Sequence, residues 1–161
     1  MADGIRLNLW VNPYISKHAR IYEDMYPLAG SHMVWLGIVP DYRLPQARRI
    51  LIDQHKQDHF DIGISGYKID EVDGYDFWLW PDHATFPSGT SAESMRQTYG
   101  MQMSHMLHTE LFRKNDLRTY SLIRANNGAG SNFPFVIATT TSRPITWRLR
   151  CASALSSPVL L

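Results

Sequence analysis

The stretch Gly66-Tyr-Lys-Ile-Asp-Glu-Val-Asp-Gly-Tyr-Asp76 limits what this chain can fold into more than any other. Tyr67, Lys68 and Ile69 read as the end of a short buried strand, and the positions that follow place Asp70, Glu71, Asp73 and Asp76 around Gly74. A strand that carries a carboxylate to its own C-terminal end, beside a lysine and further carboxylates, is how barrels of alternating strands and helices build a catalytic floor. An acidic solvated turn is the plainer reading of the same residues, because carboxylates are common in turns.

The flanking chain supplies a strand-helix-strand unit. Arg6-Leu-Asn-Leu-Trp-Val-Asn12 alternates as a strand does, and Pro13 ends it. Ser16 to Gly37 shows no clean period and reads as an irregular connection. Pro45 suits a first helical position, and Ala47, Ile50, Leu51 and Gln54 recur at helical spacing before Gly63 closes the region. Thr90-x-x-Glu93 has the form of a capping box and opens the longest helical pattern, in which Met95, Tyr99, Met103, Met106 and Leu107 share one face as far as Asn115-Asp116. At that spacing the methionines read as core. His105 and His108 can share a helix face, but zinc needs about three or four protein ligands and nothing is spaced to complete the set, so no metal is expected. Arg118 to Arg124 and Phe133 to Ile137 read as further strands, with Asn126-Asn-Gly-Ala-Gly130 as the loop leaving the first of them.

Lys68-Ile69-Asp70 followed by Asp73 resembles the nucleophile motif of glycoside hydrolase family 31, and the likeness continues through Gly74-Tyr-Asp-Phe-Trp-Leu-Trp-Pro-Asp-His-Ala-Thr-Phe-Pro-Ser-Gly89. Trp10-Val-Asn-Pro-Tyr-Ile15 resembles the third-strand motif of that family, and Asp41-Tyr-Arg-Leu-Pro45 the segment before its nucleophile strand. Arg124, with Phe133-Pro134, resembles its arginine and Phe-Pro signature. The resemblance implies an α/β fold: an incomplete fragment of a (β/α)8 TIM barrel, about strands 3 to 6. It implies retaining hydrolysis of an α-linked oligosaccharide or glycoside, with Asp70 as catalytic nucleophile, Trp10, Lys68 and Arg124 binding substrate, and no cofactor. Arginine suits its role because a planar fork can hold vicinal oxygens. The family's acid/base aspartate falls, by the same resemblance, at position 140. This chain has Thr140, and threonine cannot protonate a leaving group near neutral pH. A non-catalytic, sugar-binding remnant of a glycosidase is the alternative.

Charge divides the chain further. Every acidic residue lies between Asp3 and Asp116, whereas residues 138–161 are Ser/Thr-rich and carry Arg143, Arg148 and Arg150. The expected organisation is a partial catalytic barrel over residues 1–137 and a divergent tail over 138–161, translated in a shifted frame. Codons for Ala138-Thr-Thr-Thr141, read two bases further on, permit Tyr-Asp-Tyr, which returns an aspartate near position 140. A net charge of +1 without a basic stripe gives no reason to expect nucleic acid or an anionic membrane surface as partner. No apolar run approaches the roughly 20 residues of a membrane span. Met1-Ala-Asp-Gly lacks signal-peptide anatomy, so the chain is expected in the cytoplasm, with its true N-terminus upstream. The single Cys151 excludes an internal disulfide.

Overall fold

The computed structural model describes residues 4–72, 79–124 and 132–137. The alternating run gives β1 (Asn8–Val11), which stops ahead of Pro13 because proline has no N–H for a ladder. A short helix, α1 (Tyr22–Met25), leads into an antiparallel hairpin of β2 (Ala29–Val34) and β3 (Gly37–Pro40). Helix α2 (Pro45–His55) begins on its proline and runs into a π-helical turn over Lys56–Phe60. Gly63, at φ 98°, then turns the chain into β4 (Gly66–Ile69). Helix α3 (Ala92–His105) continues through π-helical turns to Phe112, and a final turn ends at Asp116 in left-handed backbone. The strands β5 (Ser121–Ile123) and β6 (Phe135–Ile137) follow.

Strands β1, β4, β5 and β6 form one parallel sheet in that order. Parallel neighbours need long crossovers, and α2 and α3 supply those from β1 to β4 and from β4 to β5. The result is an incomplete α/β piece of a TIM barrel, with β1 and β6 as its edges among the described residues and no closure between them there. Successive strand residues point to opposite faces. Val11, Tyr67, Ile69, Ile123 and Phe135 are buried with the helices, against Ala47, Leu51 and His55 of α2 and Met95, Tyr99 and Met103 of α3. Met106 and Leu107, in the continuation of α3, complete its expected apolar face and are fully buried. Gly66 answers a close approach: a Cβ there would stand 2.1 Å from the carbonyl oxygen of Tyr120, the residue just before the neighbouring strand.

Three local expectations change. Residues 16–37 are not irregular throughout, since they contain α1 and most of the hairpin. The N-cap of α3 is Ser91, whose hydroxyl accepts from the Ser94 N–H at 3.3 Å, so the box from Thr90 to Glu93 does not form. The buried face of α2 runs through Ala47, Leu51, Ile52 and His55, with Ile50 and Gln54 on its margin. The hairpin has a positional role. Ser31 donates its N–H to the Thr85 carbonyl and accepts from the Thr85 N–H, both at 2.9 Å, while buried Asp41 accepts from the Ser88 N–H at 2.7 Å. Together they fix the segment that follows the β4 motif.

Candidate active site

The parallel register sets the site. Trp10 is opposite Lys68, and Lys68 opposite Leu122, so all three lie on the sheet face away from α2 and α3. Asp70 follows Lys68 by two residues and Arg124 follows Leu122 by two, which returns both side chains to that face. The ladder reaches one residue past each strand: the Asp70 N–H donates to the Val11 carbonyl at 2.9 Å and the Arg124 N–H to the Ile69 carbonyl at 3.0 Å. Both residues are therefore held in sheet geometry at the C-terminal end.

Asp70 is 5% exposed and accepts from four donors. On Oδ2 they are Trp10 Nε1 and Lys68 Nζ, each at 2.8 Å. On Oδ1 they are Arg124 Nη1 and the Glu71 N–H, each at 3.0 Å. Burial pushes the carboxyl up, but the bonds from Lys68, Trp10, Arg124 and the Glu71 N–H more than offset it and hold Asp70 well below the usual carboxylate range. It is an anion at neutral pH, suited to attack an electrophile or stabilise a developing cation and unsuited to donate a proton. Trp10 is 51% exposed on the open face while its N–H is spent on Asp70. All four residues expected at the site, Trp10, Lys68, Asp70 and Arg124, thus form one bonded cluster.

Two participants carry no role in the sequence reading. Glu71 Oε1 lies 3.2 Å from the same Arg124 nitrogen that reaches Asp70. Buried Tyr14 donates its hydroxyl to the Glu71 carbonyl at 2.8 Å. Glu71 stands at φ 59°, a left-handed conformation rare for a residue with a Cβ, and no residue-type pattern announces it. Asp73 and Asp76 lie outside the described residues, as do Asn126 to Gly130, Thr140 and the whole segment 138–161. His105 stands 3.6 Å from Glu110 and its ring meets Phe133 edge-on, while His108 packs on Phe133 and Phe135. Among the described residues no group of three or more His, Cys, Asp or Glu side chains is placed to hold a metal ion.

A buried, ionised carboxylate at the C-terminal end of a parallel strand, clamped from both neighbouring strands, is the arrangement with which strand-helix barrels build a catalytic floor. The chain belongs to glycosyl hydrolase family 31: the model of that family's TIM-barrel domain matches residues 1–137. Among solved structures, a family 31 sulfoquinovosidase from E. rectale, in complex with an aza-sugar inhibitor, is 22% identical with a TM-score of 0.69. The match covers 83% of this chain and 21% of that one. The cycloalternan-forming enzyme of Listeria monocytogenes, in complex with a pentasaccharide substrate, is 19% identical with a TM-score of 0.60, covering 76% and 13%. A family 31 α-xylosidase from a soil metagenome, complexed with xylose, is 18% identical with a TM-score of 0.56, covering 76% and 20%. At these identities the likeness is one of fold, and the chain spans about a fifth of the first neighbour's length. None of the curated proteins matches it.

Proposed function

We propose that this chain carries the nucleophile side of a glycosidase site that cuts α-linked glycosides by retaining double displacement. The observation that supports this reading is Asp70, a carboxylate kept ionised at the end of β4 by donors from β1, β4 and β5. In such reactions one carboxylate attacks the anomeric carbon while a second carboxyl, about 5 Å away, acts as acid and then as base. Asp70 takes the first role. Trp10 offers a half-exposed aromatic face to a sugar ring, and Lys68 and Arg124 hold sugar oxygens next to the attacked carbon. Glucosides, xylosides and galactosides all fit this chemistry.

Thr140, where resemblance to the family puts the acid, favours a second reading in which the chain binds sugar without turnover. For residues 138–161 we infer translation in a shifted frame, which accounts for both the missing aspartate and the Ser/Thr-rich, acid-free composition of that segment. The nucleotide sequence from the Phe133 codon onward tests this. A downstream frame without an aspartate codon near position 140 and further barrel sequence behind it would overturn the inference.

The nucleophile itself is tested with a fluoroglycoside whose fluoride leaves without protonation, so that the missing acid does not interfere. In a barrel completed with the flanking strands of a family member, the expected adduct is on Asp70 and is absent in Asp70→Asn. An adduct on Asp73 or Asp76 in its place would remove Asp70 from the role.

A further inference from the structure

We propose that Glu71 is a positioning residue whose carboxylate is a second seat for the Arg124 guanidinium, so that the arginine stays in place when Asp70 gives up its bond to it. The inference rests on the reading of Asp70 as a nucleophile, because an attacking oxygen needs a lone pair. Each carboxylate oxygen has about two acceptor sites. Asp70 Oδ2 already takes Trp10 and Lys68, and Oδ1 takes Arg124 and the Glu71 N–H. Both oxygens are filled, and one donor has to leave before Oδ1 can form a bond to carbon.

The geometry points to Arg124 as that donor. The Glu71 N–H is covalently adjacent to Asp70 and has no freedom to depart. Arg124 Nη1 stands 3.0 Å from Asp70 Oδ1 and 3.2 Å from Glu71 Oε1, so it already has somewhere else to be. Its side chain is only 13% exposed, where a nearby carboxylate is worth more to a cation than it would be in open water.

Glu71 is held in that position at a local cost. Its φ of 59° is left-handed, where L-residues are strained, and glycine would sit there without penalty. The conformation is fixed from a distant part of the chain by the Tyr14 hydroxyl on the Glu71 carbonyl, at 2.8 Å. It aims the N–H of Glu71 at Asp70 and the carboxylate of Glu71 at Arg124 together. Strain maintained by a buried tyrosine, at a residue whose side chain meets the reacting cluster, marks a functional constraint.

The test is the rotation rate of the Arg124 guanidinium about its Nε–Cζ bond, read by nitrogen-15 NMR on the labelled chain, with the signal assigned by its loss in Arg124→Lys. In Asp70→Ala the rotation stays slow, because Glu71 keeps the arginine. In Asp70→Ala/Glu71→Ala it speeds up by at least about tenfold, the effect of losing the remaining charge-assisted hydrogen bond of the pair. A purely structural Glu71 would leave Asp70→Ala and the double variant rotating at the same rate, and that result overturns the proposal. If the double variant does not fold, Asp70→Ala/Tyr14→Phe gives the same answer, since it retains Glu71 but loosens its backbone. The measurement needs no turnover. An Asp70 that never takes up a sugar defeats the nucleophile reading while leaving this result to stand or fall by itself.

Discussion

The donors around Asp70 differ in what their removal would expose. Trp10→Phe keeps an aromatic ring on β1 but takes away one hydrogen bond from a buried anion. A bond to a charged group contributes about 1.5–3 kcal/mol when buried, and the half-exposed indole places the expected loss near its lower end, about 1.5 kcal/mol. The urea midpoint should fall with an unchanged slope, and an unchanged midpoint would mean that the indole adds nothing. The cluster was legible in the sequence through its likeness to the family's motifs, and the strand register supplies the physical reason. Lys68 and Asp70 are two apart on one strand, and Trp10 and Arg124 end its neighbours, so a parallel sheet brings them together. Glu71 and Tyr14 were not legible. Their contact depends on a positive φ and on a hydroxyl more than fifty residues away, neither of which leaves a pattern in residue types.

Individual elements fail in distinct ways. Gly66→Ala would drive a methyl group into the Tyr120 carbonyl, so β4 and β5 must separate and the ends bearing Asp70 and Arg124 separate with them. The chain should lose at least about 2 kcal/mol, read by chemical denaturation, and an alanine variant of parental stability would show that the sheet can yield here. Helix α2 carries a pH response. His55 is buried beside His59 and Tyr67, with Nδ1 against the Leu51 carbonyl. Burial first, and then the nearby His59, lower its pKa from 6.5 to about 4, against the raising influence of the Leu51 carbonyl and Asp58. The unfolded chain therefore binds a proton at His55 that the folded chain refuses between pH 6.5 and about 4. Stability is fully present above that window and falls as pH drops through it, by about 3 kcal/mol in all. Asp70 remains ionised throughout, and His55→Phe should flatten the response. An equally steep loss in that variant would assign the acid sensitivity to other groups. The hairpin escaped the sequence reading because Ala29-Gly-Ser-His-Met-Val34 lacks clean alternation, and its place depends on Thr85 and Ser88, far along the chain.

For the molecule as a whole, an alternating order of strands and helices was enough to foresee a parallel α/β sheet, because crossovers of that length admit little else. On the proposed reading the 161-residue chain by itself should not hydrolyse aryl α-glycosides, since the sheet of its described residues is open and Thr140 falls where the family resemblance puts the acid. Loss of one essential group typically costs about three or more orders of magnitude. Saturable hydrolysis that disappears in Asp70→Asn would reverse that expectation. The placement of the cluster has a consequence for inheritance. Trp10, Lys68, Asp70 and Arg124 arrive on three adjacent strands within one uninterrupted stretch of the gene product. A recombination breakpoint ahead of Trp10 or behind Arg124 passes the cluster on whole, whereas one inside the stretch separates side chains that bond to one another. Exchange at the outer points can therefore trade the surrounding walls while the carboxylate keeps its charge.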